Sequence, residues 1–115
     1  IPLRLVGSEM CIRDSHQALA NAERNKSLNA SNVNFFHSDT YIQKKEYDFT
    51  VANILLNTII QLKEKLISSL KPGGTLILSG ILEDQASSII DTFRNEMIIS
   101  IIDQNEGWLL MKGQK

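Results

Sequence analysis

The chain predicts an α/β fold, a mostly parallel sheet finished by an antiparallel hairpin. Three observations lead there. Residues 47–55, YDFTVANIL, are a mostly apolar run of the kind found in strands covered on both faces. An apolar stripe at helical spacing follows over residues 55–70, LKPGG interrupts it, and TLIL begins a second apolar run; strand, crossover helix and strand is the order that builds a parallel sheet. Finally, two apolar runs at 97–102 and 108–111 are separated by DQNEG, too short for a parallel crossover, so these strands must run in opposite directions if they pair.

Taken in chain order, residues 1–15 stand apart. They have no sustained period beyond positions 1–6, and they stop where a clean helical pattern begins. The run VGSEMCIRDS resembles translated sequencing-adapter sequence found at the ends of unrelated open reading frames. Residues 1–15 are therefore expected to be non-native, an ordinary N-terminal strand and loop being the other reading. Residues 16–29 place Ala18, Leu19, Ala22 and Leu28 near helical spacing behind Ser15 as a candidate N-cap. Residues 32–37, NVNFFH, are a short strand candidate.

The stripe of residues 55–70 comprises Leu55, Leu56, Ile59, Ile60, Leu62, Leu66, Ile67 and Leu70, which predicts one helix packed on the sheet. Pro72 ends it, and Gly73 and Gly74 permit the turn into a strand at 75–78. Residues 84–95 predict another helix with Ala86, Ile89, Ile90 and Phe93 inward. The final strands at 97–102 and 108–111 are joined by the loop 103–107.

Composition limits the function. With 115 residues and 12.9 kDa there is room for one domain of modest core. Hydrophobic residues at 43% and charged residues at 22% suit a globular chain. A net charge of -1 offers no basic field, so no nucleic-acid partner is expected. Cys11, the single cysteine, has no internal partner and suits a reducing compartment. No apolar stretch approaches the roughly 18 residues that span a bilayer, and the N-terminus has no signal-like apolar region.

VANIL at 51–55, LKPGG at 70–74, LSGIL at 78–82 with Gln85 after it, and EGW at 106–108 together resemble the C-terminal part of the methyltransferases that modify large-subunit ribosomal protein eleven, the PrmA type. The helix at 16–29 is similar to the segment after that family's second strand, with Asn25 and Asn29 at matching spacing. The resemblance covers about residues 16–113. It implies a Rossmann-like class I methyltransferase sheet with its first strands missing, S-adenosylmethionine as cofactor, and a parent that methylates amino nitrogens of a ribosomal protein in the cytoplasm. Residues 16–115 would then be the C-terminal part of the catalytic domain, with substrate recognition left to a separate N-terminal domain.

Departures from the family pattern matter equally. The family's GCGSG loop has no counterpart among the six glycines, and Arg13 stands where the family's ribose-binding Asp is expected. Truncation is the expected cause, and the polypeptide as given is expected to be inactive. The strand at 47–55 should also have an open edge, which either the strand near Val33 or residues 1–6 fill, or which leaves the isolated chain poorly stable.

For the site, the resemblance implies that Asn53, at the carboxyl end of its strand, contacts the cofactor; by itself it reads as a strand-end amide bonding loop backbone. Asp39 is a second cofactor-binding candidate, near the adenine, against an ordinary loop aspartate. No catalytic residue is singled out. His16 and His37 lack metal or triad spacing, so no metal site is expected. Ser79 and Gly80 read as a strand-to-helix turn, and Trp108 as packing for the hairpin against the last helix. The rival functions are another class I methyltransferase, which lacks support from an Asn-Pro-Pro-aromatic motif at Asn53, and a small non-catalytic α/β binding module.

Overall fold

The computed structural model describes residues 10–13, 20, 21, 23, 24, 34–37 and 46–115. The chain divides into two compact units, Ile1–Ile42 and Gln43–Lys115. In the first, β1 (Met10–Arg13) pairs in parallel with β2 (Asn34–His37), from Met10 opposite Asn34 to Arg13 opposite His37. β1 falls where no strand period was expected, because four residues held by backbone bonds to a neighbour need not alternate in polarity. Within the predicted helix at 16–29, Ala20, Asn21, Glu23 and Arg24 are helical. Its other positions, residues 1–6 and Val33 lie outside the described residues.

The second unit holds a four-stranded sheet. Its elements are β3 (Tyr47–Asn53), α1 (Leu56–Gln61), α2 (Lys63–Ser68), β4 (Leu70–Leu82), a 3-10 turn at Glu83–Gln85, α3 (Ala86–Phe93), β5 (Ile99–Asn105) and β6 (Trp108–Gln114). The order across the sheet is β3-β4-β6-β5, with β3 parallel to β4 and β6 antiparallel to both its neighbours. This is the expected mostly parallel sheet with an antiparallel hairpin. Among the described residues β3 pairs with β4, and β2 pairs with β1.

Alternation along the strands builds the core. Ala52, Leu76, Leu78, Ile81, Ile99, Leu109 and Met111 are buried together with Ile59, Ile89 and Phe93 from the helices. Fully burying a side chain such as Phe93 or Ile59 contributes about 1.5–3 kcal/mol relative to exposure. Three positions expected in helical stripes lie outside this core, two of them by register: Leu55 precedes α1 and is 79% exposed, and Ile90 lies on the outer side of α3. Ile60 is exposed as well.

Three local expectations are revised. The helix at 55–70 is two segments, divided at Leu62 (φ -94, ψ 6) with neither Pro nor Gly at the junction. Lys63, just past the break, reaches Glu96 at 2.9 Å. The Pro-Gly-Gly segment is not a turn before a strand but an irregularity inside β4: Tyr47 pairs with Leu70 and Phe49 with Thr75. Lys115 closes this excursion, its N–H donating to the Gly74 carbonyl at 2.9 Å and its carbonyl accepting from Gly73 N–H at 2.8 Å. The hairpin loop is the two residues Glu106 and Gly107, at φ 51 and 83, because positive φ at both central positions matches the twist of the flanking strands.

Side chains complete the helix ends. Tyr47 N–H donates to the Ser69 carbonyl at 2.7 Å, and Ser69 Oγ donates to the Leu66 carbonyl at 2.6 Å. With its one hydroxyl proton committed, Ser69 Oγ accepts from Thr50 Oγ1 at 2.6 Å. At the other crossover, Leu82 N–H donates to Gln85 Oε1 at 3.0 Å, satisfying a donor at the start of the 3-10 turn. No helix among the described residues is long and apolar enough to cross a membrane.

Candidate functional site

Parallel α/β sheets present their ligand sites at the carboxyl ends of strands. Here β3 and β4 end side by side, with Asn53 opposite Ser79 in the parallel register. Asn53 is exposed, and its amide lies against Gly80. A Cβ at Gly80 would stand 2.6 Å from Asn53 Oδ1, so a side chain there would displace the amide, and φ +77 favours glycine on backbone grounds.

Gly80 is inside a strand rather than in the expected strand-to-helix turn. Leu78 pairs with Met111 and Ile81 with Leu109, leaving Ser79 and Gly80 opposite the single residue Leu110. A second bulge faces the same level from the other side, since Ile101 pairs with Met111 and Asp103 with Leu110, leaving Ile102 extra. Bulges increase local twist and re-aim side chains. Two of them flank Leu110, next to an opening at the end of β4.

The opening is a groove of about 300 Å³ lined by Ser79, Gly80, Asp103, Asn105, Trp108 and Leu110, among others. Trp108 is 53% exposed at this groove, which corrects its expected burial against the last helix. The reason is alternation: Leu109 takes the core side of β6, so Trp108 points the other way. Glu83 N–H donates to the Gly107 carbonyl at 3.1 Å, tying the hairpin tip to the end of β4.

Other candidates contribute less. Asp39 and His16 lie outside the described residues, and His37 ends β2 as expected of a strand-end residue. Among the described residues, no group of three His, Cys, Asp or Glu side chains comes together. Sequence reasoning missed Asp103 and the special role of Gly80. Glycine inside an apolar strand run was the available signal for the latter.

Comparison with known proteins settles the family. Residues 8–115 match the family model described as Ribosomal protein L11 methyltransferase (PrmA). The chain belongs to this family. The match includes β1, within the segment expected to be non-native. A ribosomal protein L11 methyltransferase of Burkholderia orbicola is 33% identical over 99 residues, which make up 86% of this chain and 33% of that relative. Another, from Nitrosomonas europaea, is 43% identical over 65 residues, 56% of this chain and 21% of that relative. The chain thus spans a third or less of the length of these curated relatives.

Solved structures agree on the architecture. A ribosomal protein L11 methylase from Lactobacillus delbrueckii subsp. bulgaricus has a TM-score of 0.79 at 25% identity, covering 92% of this chain and 56% of that one. The N-methyltransferase NodS of Bradyrhizobium japonicum, solved in complex with S-adenosyl-l-homocysteine, has a TM-score of 0.73 at 13% identity, covering 92% of this chain and 65% of that one, and shares the fold. The sheet is that of the class I methyltransferases, represented by its C-terminal part.

Proposed function

We propose that this chain is the C-terminal part of the catalytic domain of an S-adenosylmethionine-dependent protein N-methyltransferase acting on a large-subunit ribosomal protein. The observation that carries the reading is the exposed Asn53 amide at the carboxyl end of β3, beside a glycine whose missing side chain keeps the space above it open. An amide with both donor and acceptor in such a cradle suits the polar amino acid portion of the cofactor and an approaching amine. S-adenosylmethionine, when bound, supplies an electrophilic methyl group on a sulfonium. The work of the protein is then mainly positioning. Asn53 Oδ1 accepts a hydrogen bond from an amine N–H and so orients its lone pair, while Nδ2 is available to donate to a carboxylate. Being neutral, the amide takes no proton, and the amine loses its own to solvent.

In the same reading Asp39 lies near the adenine, and residues 1–15 are foreign to a native segment 16–115. Recognition of the ribosomal substrate belongs to an N-terminal domain beyond these residues, and the protein works in the cytoplasm with no nucleic-acid or membrane partner. The 115-residue chain alone does not transfer methyl groups, since none of its six glycines sits in a GCGSG loop. Its partial coverage of the relatives supports that division.

Calorimetry with S-adenosylmethionine tests the proposal on two polypeptides. In a full-length protein with the upstream sequence restored, Asn53→Ala weakens cofactor use by about 0.5–1.5 kcal/mol, the worth of one aimed hydrogen bond. In the 115-residue chain neither form binds. Micromolar binding by the short chain contradicts the division of the site.

A further inference from the structure

Gln85 follows the LSGIL run and takes no part in the functional reading above. We propose that Gln85 is a positioning residue for Asn53: its side-chain oxygen stands in for the strand missing beyond the end of β3 and so holds Gly80 against the Asn53 amide. This deepens the functional reading and rests on it in taking Asn53 as the residue that meets cofactor and amine.

The direction of one backbone N–H is the first argument. In an antiparallel ladder, residues alternate between those that exchange hydrogen bonds with the facing strand and those whose N–H and C=O turn to the other flank. Leu82 pairs with Trp108, and the neighbouring Glu83 N–H donates to the Gly107 carbonyl at 3.1 Å. Leu82 is therefore a position of the second kind, and its N–H turns away from β6 toward the flank that β3 occupies earlier along β4. The β3–β4 register ends with Asn53 opposite Ser79, short of Leu82. Past that point the Gln85 side chain supplies the acceptor, its Oε1 lying 3.0 Å from Leu82 N.

What this bond holds is the second argument. Gly80 lies between two anchored points of β4. Before it, Leu78 is paired on both flanks, with Ala52 of β3 and Met111 of β6; after it, Ile81 and Leu82 pair with Leu109 and Trp108 on the β6 flank alone. Gln85 supplies the hold on the other flank. A glycine at φ +77 has wide conformational freedom, so its path is set by the points that bracket it. On the flank that Gln85 holds lies Asn53, whose Oδ1 would stand 2.6 Å from a Cβ at Gly80. Gln85 is itself half-buried, and Ala86 after it is in the core, so the accepting oxygen comes from a fixed start of α3. Losing the bond frees the end of β4 on the one side where a shift alters the contact with the Asn53 amide.

Gln85→Met keeps the length of the side chain and removes the accepting oxygen, whereas Gln85→Glu keeps an oxygen in place. In the 115-residue chain, proton–nitrogen correlation spectra read the Gly80 backbone amide and the Asn53 side-chain amide directly. Gln85→Met is expected to shift both signals, and Gln85→Glu to leave both near their original positions. In the restored full-length protein, Gln85→Met should lower kcat/KM about fivefold, as expected for one lost hydrogen bond, with Gln85→Glu within about twofold of the unmodified enzyme. On an Asn53→Ala background, Gln85→Met should change kcat/KM by less than about twofold, because it acts through that amide. A merely structural cap would lower activity equally in both backgrounds, and that result overturns the proposal. Unmoved Gly80 and Asn53 signals in Gln85→Met overturn it too, as does a Gln85→Glu variant as impaired as Gln85→Met. If Gln85→Met does not fold, hydrogen exchange at Leu82 N–H in the unmodified chain decides: protection supports the bond to Gln85, and exchange at the rate of an open amide refutes it. The functional reading fails by a different measurement, the absence of methyl transfer to ribosomal protein by the unmodified full-length enzyme, while the spectra of the short chain still decide what Gln85 holds.

Discussion

Replacing Gly80 by alanine separates two demands that glycine meets at the end of β4. The first is conformational: at φ +77 an L-residue costs about 1–2 kcal/mol, of which about 0.4–1 kcal/mol is returned because alanine restricts the unfolded chain. The second is steric: the new methyl meets Asn53 Oδ1 at 2.6 Å, while the next nearest atom, Asn53 Cγ, is at 3.8 Å. One atom at the end of an exposed side chain can swing aside, so the clash is relieved by moving the amide rather than by unfolding the strand. Gly73 at φ +85 and Gly107 at φ +83 share the backbone demand with nothing within 4 Å of an added Cβ. All three alanine variants should therefore lose about 1 kcal/mol in urea unfolding of the 115-residue chain, a fall of about 4–8 °C in Tm for a unit of this size. Methyl transfer by the restored full-length protein should separate them. Gly80→Ala, by displacing the Asn53 amide, should lower it about tenfold; Gly73→Ala and Gly107→Ala should leave it within about twofold. Adding Asn53→Ala to Gly80→Ala should cost little more, because both changes remove the same hydrogen bond. Unchanged transfer in Gly80→Ala, or a destabilisation several kcal/mol beyond that of Gly73→Ala, refutes the reasoning: the first makes the amide position irrelevant, and the second makes it rigid.

Gly113→Ala should be worse for stability than any of these. Its Cβ would run into Ile99 Cδ1 and meet Met97 Sδ at 2.6 Å, and since both neighbours are buried, overpacking should cost about 1–3 kcal/mol by urea unfolding, with partial recovery on adding Ile99→Val. Lys115→Met removes a charged donor bonded to the carbonyls of Ile67 and Leu70, at 3.0 and 2.9 Å, near the carboxyl end of α2; thermal unfolding should show a loss of about 1 kcal/mol, smaller in Lys115→Arg. Lys63→Met breaks the 2.9 Å ion pair with Glu96 and should lower stability by up to about 1 kcal/mol, with the difference shrinking as salt is raised.

Periodicity reaches as far as local sequence can. The apolar run at Tyr47–Asn53, the break at Pro72 and the short linker before Trp108 were sufficient to order the elements of the second unit and to set the hairpin antiparallel, because period and linker length are local constraints on the backbone. The position of Asn53 was legible too, since the end of a strand run is a local feature and the motif around it is specific to the family. Tertiary pairing decided the rest. Whether Gly73 and Gly80 make turns or bulges depends on which residues of β3 and β6 lie opposite them, and no local pattern records a partner's register. Trp108 has the composition of a core residue, yet the alternation anchored by Leu109 turns it to the groove. Asp103 looked like a loop residue until β5 extended past it and the extra Ile102 brought it level with Leu110. The order of the elements along the chain and the place of Asn53 at a strand end are thus written in short-range pattern, whereas the order of the strands across the sheet and the two bulges beside the groove exist only once the strands have met.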